Sequence, residues 1–369
     1  MYDKPIFLGH EIYRGSSYGH MHPLRIPRVS TVMDLSRAMG WLGRENFRLS
    51  PRAKPKAVSH WHSEAYLDAL ILAESEQSVT EATRARHGIG THTNPIFPEI
   101  WKRPATSAGG SLLAGELLSQ GGIVYHPAGG THHAFPDRAG GFCYLNDPVL
   151  AMLSLRRNGA QRLAYIDIDA HHPDGVEHGF ARDMECLMIS VHEERRWPFT
   201  GQIEFDGGGN VFNMPVPAKL NDTEMAAIRD DLILPRVQNF RPDAIIIQCG
   251  ADAVEEDPLS RLTLSNNAHW AIIQALMNMS PRTLVLGGGG YNPWSVGRLW
   301  TGVWATLNGF EMPDRLPMPA EKVLRALEFK GNSRGRNPPE HWFTTLRDPS
   351  RDGPIRDDIR ARLSQLAGR

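Results

Sequence analysis

Residues Asp167 to Gly175 read Asp-Ile-Asp-Ala-His-His-Pro-Asp-Gly and follow directly on an apolar run, Leu163 to Ile166. Carboxylates suit hard cations and imidazoles suit borderline ones, so Asp169 and His171 are a ligand pair for one metal, with Asp167 close behind. Alternate residues of an extended chain share a face, so Asp167, Asp169 and His171 are expected to point the same way. An apolar strand that ends in acids and histidines puts them at the carboxyl edge of a sheet, where open α/β sheets keep their ligand sites.

Three further clusters carry related chemistry. Gly129-Gly130-Thr131-His132-His133-Ala134 places tandem histidines in a glycine-rich loop just past Ile123–His126. Gly250-Ala251-Asp252 follows Ala244–Cys249, and Gly287-Gly288-Gly289-Gly290-Tyr291-Asn292 follows Thr283–Leu286. Glycines there let backbone approach a ligand closely and permit positive φ. Asp169, His171 and Asp252 would supply three protein ligands and leave room for water and substrate, the open arrangement of a catalytic metal site. Such a set suits metal-assisted hydrolysis, in which the ion polarises a carbonyl and acidifies a water. His132 and His133 offer a general base and an electrostatic partner whose proton affinities their surroundings can split. Asp167 and Asp174 are the acids to orient them. Tyr291 is a hydrogen-bond donor for a developing oxyanion, on the side opposite the metal. The four-glycine run lacks the Lys-Ser/Thr of a phosphate loop, which argues against phosphate binding.

These clusters need strands to carry them. Candidates are Ile123–His126, Leu163–Asp169, Leu187–Val191, Val211–Val216, Ala244–Cys249 and Thr283–Leu286. Helical stretches alternate with them near Val149–Arg157, Glu224–Asn239, Asn266–Met279 and Val296–Leu307. The alternation predicts an α/β fold, a single domain with a mostly parallel multi-stranded sheet flanked by helices on both faces. Several strands are apolar throughout, as parallel strands buried on both sides are. The first ~120 residues read as helical with long polar loops, 15–27 and 86–98. One domain is expected over 1–369, with a core at about 5–309 and a C-terminal tail, 310–369, packed on it. Within that tail, the Pro- and Arg-rich stretch Gly331–Pro354 reads as irregular and leads into a short helix.

The bulk numbers exclude several classes. In 369 residues, 40 Lys+Arg face 41 Asp+Glu, so no basic surplus points to nucleic acid or an anionic membrane. Arg195-Arg196 and the Arg-rich tail after Arg351 read as solvated charge. Three cysteines, Cys143, Cys186 and Cys249, are too few for a disulfide framework and fit a reducing compartment. The start shows no secretory leader, and no apolar run approaches the ~18 residues of a membrane helix, so a cytoplasmic protein is expected. Oligomeric state stays open, a homo-oligomer included.

The ordered set His132-His133-Ala134, Gly141-Phe142-Cys143-Tyr144-Leu145-Asn146-Asp147, Asp167-x-Asp169-x-His171-His172-x-Asp174-Gly175, Gly250-Ala251-Asp252 and Gly-Gly-Gly-Gly-Tyr291-Asn292 resembles the histone deacetylase family, within the arginase–deacetylase fold. Asp147-Pro148 and Asp257-Pro258-Leu259-x-x-Leu262-Thr263 resemble most its bacterial acetoin-utilisation branch. The likeness runs from about Pro5 to Gly309. It implies a zinc-dependent deacylase acting on acyl-lysine or a related acylated amine. It implies zinc on Asp169, His171 and Asp252, although two carboxylates and one imidazole would also accept iron(II) or cobalt. It implies His133 as general base oriented by Asp174, His132 as the electrostatic partner near Asp167, and Tyr291 on the oxyanion. A structural monovalent cation, K+ or Na+, is implied at Asp167, Asp169, His171 and Ser190. Phe142, Trp197, Gly141 and Gly289 would wall a narrow acyl-lysine channel with Leu259 near its mouth, and Arg28 would line an inner acetate cavity.

The sequence departs from the family pattern in places. Thr93 stands where an aspartate usually grips substrate backbone, and a neutral hydroxyl cannot replace a carboxylate that accepts two N–H bonds. Trp197 stands where the channel usually has Phe, and Pro173 replaces a glycine. A two-manganese ureohydrolase of the arginase kind needs an acid four residues after Asp169 and another two before Asp252. Pro173 and Gly250 occupy those places, which excludes it. Two alternatives remain: an amidohydrolase of acetylpolyamines or other small acyl-amines, and a catalytically silent binder of acyl groups. The silent binder requires a lost ligand, base or tyrosine, and none is lost.

Overall fold

Short apolar runs punctuated by glycine and proline become the strands of one sheet. The structure is a computed structural model that describes residues 4–329 and 337–369. Its strands are β1 (Ile6–Gly9), β2 (Phe47–Leu49), β3 (Gly122–His126), β4 (Leu163–Asp167), β5 (Cys186–Glu193), β6 (Val211–Val216), β7 (Ala244–Gln248) and β8 (Arg282–Leu286). They lie in the order β2-β1-β3-β8-β7-β4-β5-β6, and every neighbouring pair runs parallel. The α/β class and the parallel sheet are therefore as expected.

The all-apolar strands follow from burial on both faces. Along β7, Ile245 and Ile247 join one core cluster while Ala244 and Ile246 join the other. In β4, Ala164 and Ile166 share the first cluster, and Leu163 and Tyr165 the second. Period-two alternation thus feeds two cores, each isoleucine contributing about 1.5–3 kcal/mol on burial. The first core takes Val29–Ala38, Asn266–Leu276 and Pro293–Asn308 as its helices; Trp300 and Trp304 of the last are fully buried. The second is covered by Lys102–Leu117, Asp147–Arg157 and Asp174–Phe180.

Strand order places the site. Strands β3, β8, β7 and β4 are consecutive neighbours, so the loops leaving their carboxyl ends are adjacent. Those are the loops that carry His132-His133, Tyr291, Asp252 and Asp169-His171. The chain builds outward from β4 to β5 and β6, then returns through β7 and β8 to fill the gap beside β3. Such a reversal of strand order opens a crevice at the carboxyl edge.

Four expectations need correction. The N-terminal third is not only helical, because β1 and β2 lie in it; three- and four-residue strands are too short to show a period. The ladder of β4 ends at Asp167 rather than Asp169. Beyond it, Asp167 Oδ1 accepts the Asp169 N–H (3.0 Å) and Asp169 Oδ1 accepts the His171 N–H (2.9 Å), so side chains take over the amides a longer strand would need. The helix over 224–239 carries a π-helical turn at Arg229–Ile233, which ends two residues before Pro235, a residue that cannot donate the helical N–H. Finally, the arginines read as solvated are mostly paired: Arg351 with Glu256, Arg356 with buried Glu224, Arg362 with Glu194 and Arg196 with Glu193.

Those pairs fasten the C-terminal segment. Its last helix, Asp357–Ala367, buries Ile359, Leu363 and Leu366 in the first core. Of the stretch 331–354, residues 331–336 lie outside the described residues; the remainder is irregular except for the short helix His341–Thr344. Cys143, Cys186 and Cys249 are buried free thiols. Among the described residues no helix is long and apolar enough to cross a membrane.

Candidate active site

Asp169, His171 and Asp252 converge. One ligand atom from each lies within 4.8 Å of the others, and this is the group of potential metal ligands found among the described residues. Each ligand is held by main chain. Asp169 Oδ2 accepts the Gly289 N–H at 2.7 Å, and Asp252 Oδ1 accepts the Ala170 N–H at 3.0 Å. His171 Nδ1 lies 2.9 Å from Asp252 Oδ2 and 3.2 Å from Asp169 Oδ1. Despite its burial, His171 is pushed up to about 10 by these two carboxylates, so the spot draws positive charge strongly. Two oxygen donors, a nitrogen donor and that field fit a divalent cation.

The glycines around the carboxylates are required by packing. A Cβ on Gly250 would overlap Asp169 Oδ2, and one on Gly289 would overlap Asp252 Oδ2. Gly289→Ala is therefore expected to weaken divalent-cation affinity by roughly 10–100-fold, the usual cost of disturbing groups that orient ligands. Competition against a chromogenic chelator measures this; an unchanged affinity would count against the packing argument.

The tandem histidines are each tied to an acid. His132 Nδ1 lies 2.9 Å from Asp167 Oδ2, which also accepts the Tyr165 hydroxyl at 2.7 Å. His133 Nδ1 lies 2.8 Å from Asp174 Oδ1. The two rings sit 4.0 Å apart between centroids, so their charges compete. Burial disfavours the charge on His132, but Asp167 and Asp169 outweigh it and hold the ring up at about 9. Burial together with charged His132 pushes His133 down to about 4, against the pull of Asp174. These surroundings favour the charged form of His132 and the neutral form of His133.

Several positioning residues had no role assigned from sequence. Asp147 accepts the N–H groups of Gly130 and Thr131 (3.0 and 2.8 Å) and so pins the loop that presents both histidines. Gln248, at the end of β7, donates to Gly130 O at 2.8 Å. Asn146 caps the helix Asp147–Arg157 and donates to Ala134 O on the far side of the histidines. Asp257 accepts the N–H of Tyr291 at 2.6 Å and that of Leu259 at 2.8 Å, and thereby fixes the tyrosine loop. The visible signal for the first group was Asn146-Asp147-Pro148, a capping residue with proline in the first helical turn.

Two cavities meet beside this cluster. An inner one of about 50 Å³ is lined by Arg28, Tyr18, His132, Gly289 and Asp169, among others. An outer vestibule of about 550 Å³ is lined by Thr93, Trp197, Leu259 and Arg261, among others. His133, Gly141, Phe142, His171 and Tyr291 border both. Trp197 sets its indole against His133, with centroids 4.6 Å apart and planes at 73°. Phe142 meets Tyr291 edge-on at 5.8 Å. Gly141 has no room for a Cβ between Trp197 and His133. Phe142 adopts φ 69°, a left-handed conformation that costs a non-glycine residue about 1–2 kcal/mol. Its N–H bonds Asn94 Oδ1 (2.9 Å) and its carbonyl accepts from Tyr18 (3.2 Å), which offsets that cost.

The other expected residues fall as follows. Arg28 reaches the inner cavity and donates to Gly288 O at 2.7 Å. Asp167 and Ser190 are direct partners across β4 and β5, with the Ser190 hydroxyl 2.8 Å from His192 Nδ1. Pro173 precedes the helix Asp174–Phe180 and its φ of −78° suits that place. Burial holds Tyr291 well above the ordinary phenol range, with Asp252 and Asp169 adding to it, so its hydroxyl keeps its proton.

Comparison with known proteins identifies the family. The family model described as "Histone deacetylase domain" matches residues 22–307. "Putative histone deacetylase 2" of Caenorhabditis elegans is 32% identical over 309 residues, 81% of this chain and 61% of that one, so the chain spans less than two thirds of that relative. "Acetoin utilization protein AcuC" of Bacillus subtilis is 29% identical over 326 residues, 85% of this chain and 84% of that protein. A crystal structure of an HDAC homolog complexed with SAHA superposes with TM-score 0.93 at 33% identity, covering 99% of this chain and 100% of the other. An HDAC homolog from Aquifex aeolicus gives TM-score 0.92 at 33% identity, with the same coverage. The chain belongs to the histone deacetylase family and has its arginase–deacetylase fold. Activity in that family is generally metal dependent.

Proposed function

We propose that the protein hydrolyses the amide bond of acetyl-lysine or a related acylated amine, with one divalent cation, zinc or else iron(II), held by Asp169, His171 and Asp252. The observation that carries this reading is the meeting of three things where the two cavities join: the ligand trio, whose His171 borders both, a neutral His133 paired with Asp174, and the protonated Tyr291. When bound, the cation would polarise the amide carbonyl and lower the pKa of water. A monovalent cation, K+ or Na+, is assigned to Asp167, Asp169, His171 and Ser190, behind the trio.

The chain's own residues supply the proton transfers. His133, neutral and oriented through Nδ1 by Asp174, takes the proton of the attacking water on Nε2. Tyr291 donates a hydrogen bond to the carbonyl oxygen as it gains negative charge. His132 stays cationic beside Asp167 and adds positive potential to the same side. Protonated His133 then passes its proton to the leaving amine, which departs as the C–N bond breaks and the carboxylic acid is released. Phe142 and Trp197 wall the side chain of the acylated amine, Leu259 borders the vestibule, and Arg28 serves the inner cavity that receives the acid. Thr93 at the rim offers a hydroxyl in place of a carboxylate, so a peptide backbone is held less firmly.

Tyr291→Phe tests the oxyanion role. Turnover on an acetyl-lysine peptide is expected to fall roughly 10²–10³-fold, with KM little changed. Unaltered kcat in the Phe variant would remove Tyr291 from the mechanism.

A further inference from the structure

We propose that the vestibule selects acyl-amine substrates bearing a carboxylate close to the reacting amide; this rests on the deacylase reading above and adds a substrate class to it. The charged residues lining the vestibule are Glu193, Glu194, Arg195, Arg196 and Arg261, together with His133 and His171 at its floor. Both glutamates are already engaged. Glu193 is buried, pairs with Arg196 (3.0 Å for one contact) and accepts the Arg261 N–H at 2.9 Å. Glu194 pairs with Arg362 at 2.8 Å.

Two cations are left over. Arg195 and Arg261 are exposed, and among the described residues neither side chain makes a hydrogen bond or ion pair. Exposed Lys219, whose N–H bonds Arg261 O at 2.8 Å, adds a third positive charge beside them, also without a side-chain partner among the described residues. The adjoining cavity of about 610 Å³ shares Thr93 and Phe142 with the vestibule, and its lining holds His20, His22 and His92 but no acid. The mouth of the channel therefore presents guanidinium forks with no free carboxylate to answer them.

An acylated amine is neutral at the amide, so the groups around it decide how it meets this rim. A carboxylate matches the planar guanidinium in two-point geometry. A remaining ammonium, as on an acylated polyamine, meets like charge instead. Surface positive charge in a concave mouth also raises the encounter rate of anions, and salt screens the effect.

The test compares kcat/KM at low salt for acetyl-lysine peptides flanked by glycine, aspartate or lysine, with 6-acetamidohexanoate set against N-acetylputrescine as the small-molecule arm. The aspartate-flanked peptide should exceed its lysine-flanked twin by about tenfold, each free arginine contributing roughly a factor of three. The gap should narrow as NaCl is raised, and R195E/R261E should reverse the order. A preference confined to 6-acetamidohexanoate would assign the carboxylate to a small molecule, and one confined to peptides would assign it to an acidic segment; either supports the proposal. Hydrolysis of the glycine reference with a flat or lysine-favouring series overturns it while the deacylase reading stands. No hydrolysis of the glycine reference would overturn that reading, and this proposal with it.

Discussion

Replacing His133 with alanine is expected to lower kcat for acetyl-lysine hydrolysis by roughly 10²–10⁴-fold, the range for removal of a general base. The reason is geometric first. His133 borders both cavities, and its Nδ1 is taken by Asp174 at 2.8 Å, which leaves Nε2 as the nitrogen available to the water. Its proton affinity then suits the task, since burial and the charge on His132 push it down to about 4 and keep the ring unprotonated at neutral pH. His132→Ala should behave differently, because that ring is already cationic and locked to Asp167. It should cost turnover by removing positive potential, and the neighbouring His133 should then titrate higher. Paired pH profiles of the two variants separate the roles. If His133→Ala retained wild-type kcat while His132→Ala abolished it, the assignment of base and partner would have to be exchanged.

The second large effect is at Asp252. Asp252→Ala is expected to lose the divalent ion and, with it, at least about a thousandfold in activity, since such an ion stabilises the transition state by several kcal/mol. Asp252 is fully buried, lies 2.9 Å from His171 and accepts the Ala170 N–H, so its loss also leaves those groups without a partner. Removing one partner from a buried charged cluster costs about 3–5 kcal/mol. A thermal melt should accompany the metal analysis, to show that the variant is folded while empty. Stoichiometric zinc in a folded Asp252→Ala protein would contradict the ligand assignment.

The site was legible in the sequence because each of its parts sits directly behind an apolar run. Once the strands are parallel, their ends must share an edge, and Asp169, Asp252, Tyr291 and His132-His133 then meet without further assumption. The reading of unbroken apolar runs as strands buried on both faces fits β4 and β7. It misjudged the stretch after Asp167, where carboxylates rather than a neighbouring strand satisfy the amides of Asp169 and His171. Strands β1 and β2 were hidden by their length. The roles of Asp147, Gln248 and Asp257 were hidden for another reason: they act by bonding main chain between 17 and 118 residues away, and such contacts leave no local period. The same is true of Arg356 and Glu224, 132 residues apart, which turn an apparently solvated tail into part of the packed structure.

The most direct test of the whole account is metal analysis and amide hydrolysis on one sample. Protein loaded with zinc should hold one divalent ion per chain and cleave an acetyl-lysine peptide; dialysis against a chelator should remove both, and added zinc should restore both. Undiminished hydrolysis by protein stripped of metal, or an ion that binds just as tightly after Asp169, His171 and Asp252 are replaced, would contradict it.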